Sequence, residues 1–251
     1  MRVAISQPTY LPWMGYFDLM DQVDVFVILD SVQFEKRSWQ QRNRIKTLAG
    51  LQWLTVPVAV RGKQGQLIHE VEIQEPAFWE NHLRNIELNY RRTPHFEPYY
   101  AEFANVCRES LASSLLVDLN LRLLRWFMQT IGLQTPIQRS SEMKQTGKRT
   151  ELLANILQSL GAKEYISPLG SADYLLGEMN VMTDRGISVA FQHYEHPEYK
   201  QLFPPFLPYA TVLDLLFNEG PRSLEILRSG RRATYTPEEA AQLLPKHVEV
   251  G

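Results

Sequence analysis

The chain has 251 residues, of which 44% are apolar, and a formal net charge of −2. That size and composition fit one large globular domain with a full hydrophobic core, and the charge gives no general attraction to nucleic acid. The sole cysteine, Cys107, excludes an internal disulfide framework and a cysteine-built zinc site. No run of about 18 apolar residues occurs, so no membrane insertion is expected. The first apolar stretch, 3–5, is too short for a signal peptide, and a cytoplasmic protein is expected.

The segment 3–7 reads as a short buried strand. Pro8 and Pro12 then interrupt regular structure, because each removes a backbone donor and biases its predecessor away from the helical region. Residues 15–22 suit one or two helical turns. Residues 25–29 form a β-branched and aromatic run ending in Asp30, the pattern of a fully buried parallel strand. Strand, turn, helix and strand make the start of a βαβ unit. Segments 53–58 and 67–73 are expected as two further strands around a glycine-containing loop. Helices are expected through about 76–131, the clearest over 115–131. Strands at 137–140, 164–167 and 187–192 then alternate with a helix at 149–160, and helices follow at 211–218 and 223–227. Thr236, Pro237 and Glu239 have the spacing of a capping box at a last helix. No internal repeat is visible. The expected fold is α/β, a mostly parallel Rossmann-like sheet flanked by helices. One domain spans 1–251, with a helical cap or subdomain inserted at about 76–131.

Two segments carry most of the chemistry. Residues 6–17, SQPTYLPWMGYF, hold prolines, aromatics and a glycine directly after a strand. Gln7, Tyr10, Trp13 and Gly15 are therefore candidate ligand contacts, with the rings stacking and the glycine allowing close backbone approach. Asp30, Gln33, Lys36, Arg37, Asn43 and Arg44 follow the second strand and combine a carboxylate with a basic clamp for phosphate or carboxylate. Open α/β sheets bind ligands beyond the carboxyl ends of their strands, which places both segments at one site. A solvated basic hairpin is the plainer alternative for 36–46. RNA binding there would require steeply salt-dependent affinity.

Other segments add candidates. Lys148 follows a glycine at a helix start, although Glu142 and Arg149 break the P-loop pattern. Ser167 ends a strand in an SPLG turn. His193 directly follows another, and His196 lies three residues on, in a spacing that matches no standard metal motif. Asp214 and Asn218 stand four apart on one helix. No metal ligand set is assigned. G-x-S-x-G and G-x-G-x-x-G are both absent, which disfavours a serine hydrolase and a nicotinamide enzyme.

The words SQPTYLPWMGYFDLM, DVFVILDSVQFEKRSWQQRNRIK, WLTVPV, YISPLGSADYL and FLPYATVLDLLFNEG, in this order, resemble the WbqC-like family of bacterial proteins. The resemblance runs from Val3 to about Leu227. Many family members carry a histidine just before the Gln-Pro pair, where this chain has Ser6, and Ser6 is given no role. The family's association with surface-polysaccharide and O-antigen genes implies work on activated amino sugars or their acyl groups. The first strand, loop and V-Q-F ending also resemble, more distantly, pantothenate-synthetase-like enzymes, which activate a carboxylate as an adenylate. That likeness makes ATP and magnesium candidate cofactors, although the residues themselves identify none.

The resulting expectation is an acyltransferase or ATP-dependent amide ligase acting on a small molecule, with a nucleotide-linked amino sugar as acceptor. Lys36, Arg37 and Arg44 would hold phosphate, and Tyr10 and Trp13 would pack against the ring. Asp30 or His193 would take the amine proton, since only a neutral amine is a nucleophile. A non-catalytic sugar- or nucleotide-binding protein of a biosynthetic assembly is the alternative.

Overall fold

A computed structural model of the chain describes residues 1–110 and 113–244, so the last seven residues of the expected domain lie outside the described part. The opening βαβ unit consists of β1 (Arg2–Ser6), α1 (Met14–Asp21) and β2 (Val25–Ile28). A hairpin follows, β3 (Arg42–Thr47) with β4 (Gly50–Thr55). Three helices come next: α2 (Phe78–Tyr90), α3 (Phe96–Glu109) and α4 (Leu116–Ile131). The alternation resumes with β5 (Ile137–Arg139), α5 (Ser140–Met143), α6 (Thr150–Ser159) and β6 (Glu164–Ser167). It ends with α7 (Ala172–Leu175), α8 (Met179–Thr183), β7 (Ser188–Phe191), α9 (Val212–Glu219), α10 (Ser223–Ser229) and α11 (Pro237–Leu243). No described helix is long and apolar enough to cross a membrane.

β1, β2, β5, β6 and β7 form one wholly parallel sheet in the order β5-β2-β1-β6-β7. Numbered by their own succession, the five strands lie 3-2-1-4-5. The chain runs outward from β1 to one edge, then returns to start again beside β1 with β6. Such a reversal opens a crevice at the carboxyl ends of the two central strands.

β1, β2, β6 and β7 have apolar, buried centres because both faces of the sheet are covered there, while the edge strand β5, IQR, is only partly buried. Alternate residues divide between two cores. Ala4, Phe26, Ile28 and Ile166 face the core shared with α1, α2, α3, α4 and α9. Val3, Ile5, Val27, Tyr165 and Val189 face the core built with α6, α7, α8 and α11. α4 stops where Gly132 takes the left-handed conformation, φ 92°, and donates to Met128 O. α11 begins with the expected capping box: the Thr236 side chain accepts from Glu239 N, and Glu239 accepts from Thr236 N. Such a cap contributes about 1 kcal/mol.

One expectation is corrected. Segment 67–73 is no strand. It contains a single 3-10 turn, Ile68–Glu70, and hands its backbone groups to scattered partners. Ile68 N donates to Val32 O, His69 N to Asp30 O, and Ile73 N to Ser114 O. The true partner of the 50–55 strand is the basic run itself. Its charged residues hide the strand period, yet Asn43 and Lys46 are buried there with Ile45.

Candidate functional site

A cavity of about 470 Å³ opens at the carboxyl ends of β1, β6 and β7, on the β6 side of the chain reversal. Ser6 ends β1, Pro168 follows β6, and Gln192 follows β7. Four aromatic side chains wall it: Trp13 and Tyr16 at the start of α1, Trp39 before β3, and Tyr209 before α9.

Trp13 is held from several sides. Its indole folds back over Gly15 so closely that a Cβ there would collide with the ring. Tyr194 and Tyr209 meet it edge-on at 5.6 and 5.4 Å, and His196 stacks beside it at 6.1 Å. Gly15 is thus required by the indole, and it also lines the cavity.

Gln192 is oriented by its surroundings. Its Nε2 donates to Gly15 O and to Asp18 Oδ2, both at 2.8 Å. These two acceptors take both amide hydrogens, so Oε1 is the polar atom left for the cavity. Asp18 is fully buried and is bound in turn by Arg231 Nε at 2.8 Å and Gln22 Nε2 at 2.7 Å. Burial raises the Asp18 pKa, while the hydrogen bonds from Arg231 and Gln192 oppose that rise.

Arg44 is the cation of the cavity. It makes no ion pair among the described residues. Its Nε is enclosed by protein without a hydrogen-bond partner among the described residues, at a cost of about 1–3 kcal/mol. Its guanidinium lies 5.4 Å from the ring centroids of both Trp39 and Trp53. Asn43 holds the neighbouring wall by donating from Nδ2 to Tyr10 O and Leu11 O.

A second, wider lobe of about 820 Å³ shares Trp13, Pro168, Gln192 and Tyr209 with the first. It contains His193, whose ring stacks on Tyr235 at 4.1 Å and whose Nε2 is 3.6 Å from Glu195 Oε1. His196 Nδ1 lies 3.0 Å from Pro197 O, which assigns the proton to Nδ1; burial lowers its pKa. Among the described residues, no three His, Cys, Asp or Glu side chains gather as a metal site would require.

Trp13, Gly15, Asn43 and Arg44 therefore line the first lobe as expected, and His193 lines the second. Ser167 is fully buried directly before Pro168, with its hydroxyl turned to Pro168 O. Gln7 is exposed next to the lining residue Ser6, and its Oε1 accepts from Gln40 Nε2 at 2.8 Å.

Other expected contacts lie elsewhere. Tyr10 has no exposed surface; its hydroxyl meets His82 Nδ1 at 2.8 Å inside the core. Asp30 is also fully buried and saturated. Its carboxylate accepts from Arg139 Nε at 2.7 Å, Ser140 Oγ at 3.1 Å, and Ser141 N and Oγ, both at 2.8 Å. The end of β2 is thus closed by the end of β5, its sheet neighbour, and Asp30 lines neither lobe. Gln33, Lys36, Arg37 and Lys148 are exposed outside both lobes. Arg37 occupies a turn at φ 64°, its N–H bonded to Gln41 Oε1. Asp214 and Asn218 face inward from α9. Asp214 Oδ2 accepts from Tyr199 and Gln201, burial raises its pKa, and Asn218 donates to the Asp214 backbone carbonyl. Sequence reasoning did not pick out Thr9, Gln192 or Tyr209. Gln192 carried one usable signal, a polar residue directly after a strand.

Comparison with known proteins adds a family. The model of the WbqC-like protein family matches residues 7–226. The uncharacterized protein Rv1507c of Mycobacterium tuberculosis is 39% identical over 232 residues, covering 92% of this chain and 99% of that protein. No solved structure matches the chain.

Proposed function

The chain belongs to the WbqC-like protein family, and from its two-lobed cleft we propose that it is an enzyme acting on a small anionic molecule that carries a ring. The substrate we infer is a nucleotide-linked amino sugar of surface-polysaccharide synthesis, and the reaction is amide formation by acyl transfer to its amine. The observation that carries this reading is Arg44. It is a cation with no carboxylate partner among the described residues, and it lines the same cavity as Trp13, Trp39, Tyr209 and an amide oriented as an acceptor. Arg44 takes the anion, Trp13, Trp39 and Tyr209 flank the rings, and Gln192 Oε1 accepts from a hydroxyl or N–H group.

In the transfer step the amine nitrogen attacks the carbonyl carbon of an activated acyl group. The new C–N bond forms as the bond to the leaving phosphate of an acyl adenylate breaks, and the phosphate departs with the electron pair. The amine proton passes to His193, which lines the adjoining lobe. Asp30 cannot share this task, because all its acceptor positions are engaged away from the cleft.

Incubation with ATP, carboxylic acids and nucleotide-linked amino sugars, read by product mass and pyrophosphate exchange, tests the reading. Amide product that is lost in His193→Ala is the expected result. Tight ligand binding with no turnover would instead establish a non-catalytic nucleotide-sugar-binding protein. One observation favours that second reading: among the described residues, no carboxylate, thiol or imidazole lines the first lobe.

A further inference from the structure

The first lobe uses only half of a four-residue cluster at its rim. Trp39 and Arg44 line the lobe, while Trp53 and Arg42 lie beside them on the hairpin, outside it. Trp39 and Trp53 are 47% and 42% exposed, unusual for the largest apolar side chain, and their ring centroids are 5.2 Å apart. The hairpin register sets Arg44 opposite Trp53. Arg42, two residues away, emerges on the same strand face. Its guanidinium lies 4.2 Å from the Trp53 ring centroid.

The two arginines here are set apart by pairing with indoles beside a cavity, where several others in the chain pair with carboxylates. Arg2, Arg139, Arg222, Arg228, Arg231 and Arg232 all meet carboxylates. Arg42 and Arg44 meet none among the described residues and rest on aromatic rings instead. A ring-bound guanidinium keeps its N–H donors available for an oxyanion, and its planar fork suits two phosphate oxygens. An exposed indole offers a stacking face to any nucleobase. The two features occur together, contiguous with a cavity.

We propose that this hairpin face is a nucleoside-diphosphate subsite continuous with the first lobe. The base stacks against Trp53 and Trp39, Arg42 and Arg44 bind the diphosphate oxygens, and the group beyond the diphosphate enters the cavity toward Gln192. The inference rests on the small-molecule reading above and adds the place and chemistry of the handle. A nucleotide sugar and a nucleoside triphosphate both present this handle, so UDP and ADP are separate arms of the test.

The full chain is titrated with UDP, ADP and uridine, followed by tryptophan fluorescence and calorimetry, with thermal melts to verify that each variant is folded. UDP or ADP should saturate with quenching. Trp53→Ala should weaken the preferred nucleotide roughly 5- to 100-fold, with Trp53→Phe restoring most of the loss. Arg42→Ala should weaken the diphosphates and leave uridine unchanged. If both alanine variants bind within twofold of the unaltered chain while Arg44→Ala and Trp13→Ala fail, the nucleotide lies wholly inside the cavity. The subsite is then wrong and the proposed function stands. If neither nucleotide binds at millimolar concentration, both fall. Binding of a single-stranded oligouridylate about a hundredfold tighter than UDP would also overturn the subsite and assign the face to RNA.

Discussion

The carboxyl ends of β1 and β2 are neighbours in one sheet, yet they do opposite things. At the end of β2 a buried carboxylate, Asp30, is gripped by a guanidinium, two hydroxyls and a backbone N–H. At the end of β1 the chain meets a cavity in which Arg44 Nε lacks a partner. A saturated cluster of charge holds a fold together, and an unsaturated one awaits a ligand. Rich polar chemistry at a strand end is therefore weak grounds for assigning a site; what separates the two ends is the partner each group still lacks.

That contrast can be broken by mutation. Asp30→Ala should have the largest effect, because it leaves Arg139 without its short ion pair and strands buried donors. A loss of about 3–5 kcal/mol in denaturant unfolding is expected. Nucleotide affinity of the remaining folded fraction should be unchanged; lost binding at full stability would reverse the roles of the two ends.

The loop after β1 contains its own inward-facing half, Tyr10 on His82, and pH tests it. Burial lowers the His82 pKa from 6.5 to about 4, only partly opposed by a hydrogen bond to the Thr55 backbone. Between those values the unfolded chain binds the proton and the folded chain does not. Stability should therefore be fully present above about pH 6.5 and fall as pH drops toward 4, by roughly 3 kcal/mol from this group. Below pH 4 the loss from this group should level off. A His82→Gln variant that kept the same slope would remove His82 as its cause.

Arg44→Ala should do the reverse of Asp30→Ala. It removes an unsatisfied buried donor together with two ring contacts, opposing effects of similar size, so stability should stay within about 1 kcal/mol. Nucleotide affinity should fall by about 1.5–3 kcal/mol, the worth of a hydrogen bond to a charged group. Destabilisation with intact binding would make Arg44 a structural residue. The smallest effect belongs to Arg37→Ala: an exposed turn residue outside both lobes should leave unfolding and turnover alike almost unchanged.

The sheet strands β1, β2, β6 and β7 were legible in the sequence because their apolar runs are short, rich in β-branched and aromatic residues and closed by polar ones, whereas β5, IQR, offered only Ile137. Their order was not legible. Nothing in the runs at β1 and β6 says that they lie side by side, so the crevice was centred on β1 and β2, with the Ser167 and His193 strand ends meeting it from the far half. The aromatic loop was recognisable as unusual, but which ring turns inward depends on distant chemistry. Tyr10 finds His82 across 72 residues of sequence, while Trp13 is pressed outward over Gly15. Tyr209 was hidden in a proline-rich segment, where it adopts a left-handed backbone at φ 64°. The basic strand β3 was legible only as the alternative of a charged hairpin with Arg42 and Arg44 on one face, because its buried positions are filled by Asn43 and Lys46 as well as Ile45.

The indole of Trp13 is a wall common to both lobes. A party wall cannot serve two occupants independently, and whichever reactant settles first fixes the room left for the other. For a two-substrate transfer the kinetic signature would be that each reactant alters the apparent affinity of the other, and Gly15→Ala, by displacing the indole, should weaken that coupling.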